Sequence, residues 1–122
     1  MNWREAMQEN FFHFADLVAD KLISYDKDNA NYNYRKGFIL LAMNQNHELA
    51  MNHLLKAIKK TQVNYDIYSV TEKAASIDAY FYLAATYQID GQYDKAISNY
   101  KIFLEKAVKK SELKFIISLQ LL

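Results

Sequence analysis

Apolar positions recur three and four residues apart along most of the chain, the spacing of amphipathic helices rather than of strands. The clearest stretch is residues 77–107, IDAYFYLAATYQIDGQYDKAISNYKIFLEKA, which reads as two helices around a glycine turn at Gly91. The first carries Tyr80, Leu83, Ala84 and Tyr87 at helical spacing, and the second carries Ala96, Tyr100, Phe103 and Ala107. Small residues at Ala84 and Ala96 let two antiparallel helices approach closely, with Tyr80, Tyr87 and Tyr100 filling the space beside them. Such a pair cannot bury its apolar face alone, so neighbours are predicted on either side.

Upstream, residues 3–25 place Trp3, Ala6, Met7, Phe11, Phe14, Ala15, Val18, Ala19, Leu22 and Ile23 at helical spacing. A helix pair broken near Asn10 is favoured over one long helix, with Ala15, Ala19 and Leu22 on the second member. The segment YDKDNAN at 25–31 is rich in Asp and Asn, residues that cap helix starts and make turns. A helix over 33–43 follows, with Gly37 at its close-contact position, then a turn at 45–47. The next helix, over 48–60, turns Ala50, Leu54, Ala57 and Ile58 inward. Gly37 to Ala50 is one residue longer than Ala84 to Ala96, so this turn should be one residue wider.

Ala15, Ala50 and Ala96 stand 35 and 46 residues apart. The first interval is close to a 34-residue helical repeat and the second exceeds it by about a dozen. The surplus falls in residues 61–75, an inserted loop whose role is either partner-facing or that of a packed spacer. After the third unit, SELKFIISLQLL at 111–122 predicts a separate terminal helix, apolar nearly all round at Leu113, Phe115, Ile116, Ile117, Leu119, Leu121 and Leu122. A capping helix should have a polar outer face. Its absence, together with the incomplete first unit, suggests a piece of a larger protein, with packing on a partner or a second copy as the other explanation.

Composition narrows the classes. A 122-residue chain with 52% apolar and 15% aromatic residues has material for one core, and with no proline and two glycines it reads as all-α. A net charge of +1 offers no field for nucleic acid. There is no cysteine to act as thiolate, disulfide or metal ligand. No signal peptide is visible, and no run is long enough for direct membrane insertion. His13, His47 and His53 lack metal-ligand spacing and read as surface residues. Asp26 and Asp28 read as turn caps, and Lys59/Lys60 and Lys109/Lys110 as cations at helix C-termini. No catalytic constellation, cofactor loop or metal set emerges, so an enzyme is not expected.

The aromatic-x2-Leu-small-x2-Tyr helix followed by an Ala-x3-aromatic helix resembles the tetratricopeptide repeat, strongly over 77–110, moderately over 30–60 and weakly over 3–29. The resemblance implies a right-handed superhelix of antiparallel helix pairs, about two and a half to three repeats plus a terminal helix, spanning residues 1–122 as one domain. A narrower likeness lies in DKDNANYNYRKG, the loop with Asn64 and Tyr65, and EKAASIDAYFYLAATY. These look like the N-terminal repeats of a Bacteroidetes cell-envelope family with a DPDNANYNYKIG-type turn and a KAPIDAYYYLGKAYH-type helix. Lys27 and Ser76 stand where that family often has proline, and Ala84 where it often has glycine. Its members follow the repeats with a β-propeller-like module and a peptidoglycan-binding domain similar to that of outer-membrane protein A, and some serve type IX secretion. That implies a periplasmic or outer-membrane-associated setting; without it a cytoplasmic one is expected.

By repeat position, first helices line a concave face that holds a protein or peptide partner. The groove candidates are Arg4, Met7 and Gln8; Asn31, Tyr34, Phe38 and Leu41; and Asp78, Phe81, Ala85 and Gln88. Phe38 and Phe81 have packing between repeats as their other reading. These positions lack the basic clamp of chaperone-binding repeats, so an acidic C-terminal tail is a poor ligand. The leading expectation is a non-catalytic interaction scaffold. A self-association domain using Phe115, Ile116, Leu119 and Leu122 is the alternative, and a peptide-sensing regulatory protein a weaker one.

Overall fold

The computed structural model describes residues 2–120. Over them the chain forms α1 (Trp3–Tyr25), α2 (Ala30–Ala42), α3 (His47–Ala57), β1 (Thr61–Gln62), β2 (Ala75–Ser76), α4 (Asp78–Ile89) and α5 (Tyr93–Gln120). The protein is all-α apart from the two-residue strands, which pair in parallel with Thr61 opposite Ala75. Each helix packs on the next in sequence, most extensively α2 on α3 and α4 on α5.

Two expected boundaries do not occur. Helix α1 runs unbroken through Asn10 rather than forming a pair. One asparagine in mid-helix costs only about 0.7 kcal/mol against alanine, too little to stop a helix that lacks glycine and proline. Its start is fixed by a capping box in which Asn2 Oδ1 accepts from the Glu5 amide and Glu5 Oε2 from the Asn2 amide. Likewise α5 passes through Ser111 without interruption, so there is no separate terminal helix and Lys109 and Lys110 lie inside a helix rather than at its end.

The turns inside the two helix pairs share one chemistry. After α2, Asn44 takes a left-handed φ of 53° while the Gln45 amide reaches back to the Leu40 carbonyl at 2.9 Å. After α4, Gly91 at φ 77° does the same, with the Gln92 amide on the Tyr87 carbonyl at 2.9 Å. Both are six-to-one closures of a helix end, made by the residue types that tolerate φ above zero. The first turn carries one further residue, Asn46, also left-handed at φ 42°, whose side chain caps α3 through the Leu49 amide.

Core packing relies on small residues. Ala30, Ala57, Ala75 and Ala79 form one buried cluster where the strand pair meets α2, α3 and α4. Leu54, Leu83, Tyr87 and Ala96 form a second between α3, α4 and α5. Helix α4 is covered on several sides, with Ala79, Leu83, Ala84, Thr86 and Tyr87 all buried, which accounts for its apolar character all round. At Gly37 a Cβ would lie 2.7 Å from Leu54 Cγ and 3.3 Å from the Ala50 carbonyl oxygen. The absence of that carbon sets how closely α2 and α3 approach.

Polar groups tie α1 and α3 to α2. Lys36 is buried and its Nζ lies 2.5 Å from Asp16 and 2.9 Å from Asp20 of α1. Burial disfavours the ammonium, but hydrogen bonds and attraction from the two carboxylates outweigh it and hold the Lys36 pKa above its ordinary value. His53 is half-buried rather than on the surface, and its Nδ1 lies 2.7 Å from Asn33 Oδ1. The Asn33 amide nitrogen already donates to the Lys27 and Asn29 carbonyls, so the imidazole donates in this bond. Burial, then the charges of Lys36 and Lys56, lowers the His53 pKa.

Two measurements follow. Gly37→Ala gains about 1 kcal/mol of helix propensity, but overpacking against the fully buried Leu54 costs about 1–3 kcal/mol. The variant should melt below wild type, and by less in a Leu54→Val background, where equal losses in both would refute the contact. For His53, a lowered folded-state pKa means that the unfolded chain binds the proton more readily. Its contribution is complete above the ordinary His range and is lost as pH falls through the lowered value. Thermal melts at about pH 7.5 and about pH 5 should therefore show a narrower Tm gap in His53→Gln than in wild type.

Candidate functional site

The most developed concave feature is a groove of about 530 Å³ between α1, α2, the 63–74 loop and the start of α4. From α1 come Phe11, Phe14, Ala15, Val18, Ala19 and Leu22, three and four residues apart and therefore on one helix face. From α2 come Tyr34, Arg35, Phe38 and Ile39; Tyr65 and Ile67 come from the loop, and Asp78 and Tyr82 from α4. Phe11 and Phe14 are about two-thirds exposed, so a broad apolar wall faces solvent.

The floor is an aromatic row. Tyr34 meets Tyr65 edge-on at 5.7 Å between ring centroids and Tyr82 at 6.3 Å, and Tyr82 meets Phe38 edge-on at 5.3 Å. The row continues through Phe81, which meets Tyr82, Tyr100 and Phe103 edge-on at 5.4–5.7 Å. Edge-to-face contacts of this kind fix ring planes and add about 0.5–1.5 kcal/mol each beyond area burial. The groove therefore has a rigid floor.

The loop forms a wall because the Asn31 side chain fastens it to α2. Asn29 caps that helix through the Tyr32 amide. Asn31 is 2% exposed, donates from Nδ2 to the Glu72 carbonyl at 3.0 Å and accepts from the Tyr65 hydroxyl at 2.6 Å. Its backbone amide donates to the Lys73 carbonyl at 3.1 Å. Arg35 holds the other side, Nη2 donating to the Ile67 carbonyl at 3.0 Å, while its buried Nε has no protein partner.

The chemistry offered is that of recognition. Burial, followed by the nearby Asp78 carboxylate, raises the pKa of both Tyr34 and Tyr82. Both phenols stay neutral at physiological pH and present ring faces and hydroxyls. Asp78 lies in the first turn of α4, where the helix dipole favours a carboxylate. Among the described residues no group of His, Cys, Asp and Glu is arranged to hold a metal, and no helix is long and apolar enough to cross a membrane.

Of the eleven groove candidates, the structure brings Tyr34, Phe38 and Asp78 together here. Asn31 is buried behind the wall, and Leu41 packs against the core cluster of α3, α4 and α5. Phe81 lies on the aromatic row, and Gln88 accepts from the Tyr100 hydroxyl at 3.0 Å. Ala85 is half-buried on α4. Met7 is exposed, and Gln8 lines a separate cleft with Glu5, Phe12 and Gln45. Arg4, also exposed, lies near the start of α1. Phe115, Ile116 and Leu119 are exposed on α5. Leu122 lies outside the described residues.

Sequence reasoning missed Phe11, Phe14, Val18, Leu22, Arg35, Tyr65, Ile67 and Tyr82. An apolar stripe lining a groove has the same spacing as one facing a core. Tyr65 and Ile67 carried no signal of their own, since Val63, Tyr68 and Val70 alternate with polar residues in the same insertion. No protein-family model matches the chain, and no curated protein matches it.

Asn31→Ala should loosen the insertion, since it strips the Tyr65 hydroxyl and the Glu72 carbonyl of their partner at a cost of about 1–3 kcal/mol. Hydrogen exchange across residues 63–74 should speed up while α4 and α5 stay protected. Tyr65→Phe should have the smaller effect. Unchanged exchange in Asn31→Ala would refute the fastening role.

Proposed function

We propose that the protein is a non-catalytic interaction module of the tetratricopeptide kind, holding an apolar segment of a protein or peptide partner in the groove between α1, α2 and the insertion. The observation that carries this reading is the groove itself. About 530 Å³ of space has a mainly apolar, aromatic lining, with Asp78 and Arg35 as its charged residues. Binding pockets have this character, concave and mostly apolar with a few placed polar groups. The floor is pre-organised by ring-on-ring contacts, so little ordering cost opposes binding.

In this reading α2/α3 and α4/α5 act as two stacked helix pairs, and α1 serves as a single flanking helix whose outer face is half of the site. The partner then contacts α1 and the insertion as well as the first helices of the pairs. The likeness of DKDNANYNYRKG and EKAASIDAYFYLAATY to envelope-family repeats supports an envelope or secretion-associated assembly as the setting.

A displayed peptide library panned on the protein tests this. Recovered peptides should lose about tenfold or more in affinity on Phe14→Ala or Phe38→Ala, the usual effect of truncating a central aromatic anchor. They should bind Gln8→Ala, outside the groove, like wild type. Peptides that ignore both groove substitutions would remove this site from consideration.

A further inference from the structure

Helix α5 is more than twice as long as α4, the helix it packs against, at 28 residues to 12. Its α4-facing side carries Ala96, buried, and Tyr100 and Phe103, which meet Phe81. Every side chain described from Ser111 to Gln120 is exposed. A free helical overhang of about ten residues is marginal in water by itself. A second face of the same helix supplies what would cover it.

Tyr93, Ile97, Leu104, Val108, Phe115 and Leu119 are each between 51% and 65% exposed. They are separated by four, seven, four, seven and four residues. At 3.6 residues per turn they fall in one sector about 80° wide and about 39 Å long, about 100° round from the α4-facing side. The spacing reads the same in both directions. An identical helix running the opposite way therefore pairs these six apolar residues with one another, with Lys101 and Ser111 at the two edges of the sector. Tyr93 faces Leu119 of the second copy, Ile97 faces Phe115, and Leu104 faces Val108, with the twofold axis between Leu104 and Val108.

The charges beside the stripe obey the same symmetry. Lys101, Glu105, Lys109 and Glu112 alternate in sign along one flank. Antiparallel pairing about that axis sets Lys101 against Glu112 of the second copy and Glu105 against Lys109. We infer that the outer face of α5 is a twofold, antiparallel interface between two copies of this chain, which packs each overhang on the partner's α5 near Tyr93 and Ile97. The α1–α2 groove lies apart from this face, so a dimer would present two grooves.

Sedimentation equilibrium tests the inference. Wild type should be a monomer–dimer system, and Val108→Glu a monomer with unchanged helical circular dichroism, since Val108 is exposed. Lys101→Glu or Glu112→Lys alone should weaken the dimer about tenfold, because each broken pair occurs twice. The Lys101→Glu/Glu112→Lys double reversal should restore it. A wild type that remains monomeric throughout, a double reversal no tighter than the single ones, or growth beyond two copies would each overturn the antiparallel interface. Peptide capture by Val108→Glu separates this outcome from the fate of the groove.

Discussion

The side chain of Asn31 makes the connection on which the candidate site depends. It is buried, and between its own side chain and backbone amide it engages Tyr65, Glu72 and Lys73, residues more than thirty positions away in sequence. A connection of this length between helices would ordinarily be mobile, because little apolar burial offsets its ordering entropy. Here three hydrogen bonds to one asparagine, with Arg35 on the Ile67 carbonyl, hold it against α2. Tyr65 thereby reaches Tyr34, and the aromatic floor extends from the loop to α5. Without that attachment the groove would have one wall.

The neighbouring asparagines extend the same logic. Asn29 caps α2 and Asn33 closes the preceding turn onto the Lys27 and Asn29 carbonyls while receiving the His53 imidazole. Alternate residues of the run Asn29-Ala30-Asn31-Tyr32-Asn33 thus reach cap, loop and third helix. On α2, Lys36 then brings in α1 through Asp16 and Asp20. Breaking such a pair is far costlier than its net contribution, because it strands a buried charge, so these contacts select an arrangement more than they add stability.

How much of this was legible beforehand varies with the physics. Gly37, Ala50, Ala84 and Ala96 were readable as close-approach positions because small residues at helical spacing have few other uses, and all four are buried. The insertion was found by interval alone. Helix continuity was misread at Asn10 and Ser111, where the residues are permissive rather than decisive and packing settles the matter. Asn31 was assigned to the groove from its place in a repeat. Its actual role depends on a contact across the sequence that no local pattern encodes. The α1 wall was invisible for another reason: exposure is a property of what is missing beside a helix, which periodicity does not report.

The small parallel pairing of Thr61–Gln62 with Ala75–Ser76 brings the two ends of the insertion side by side, with the Ala75 amide on the Lys60 carbonyl at 2.8 Å. A loop whose ends are already joined can change length or sequence at little cost to the frame, since closure entropy grows only slowly with length. The segment between the strands is thus a graft, seated on the helices but not part of their register. Changes of length or sequence between the strands would therefore reshape the loop wall of the groove, while the alanine cluster of α2, α3 and α4 beneath keeps its packing.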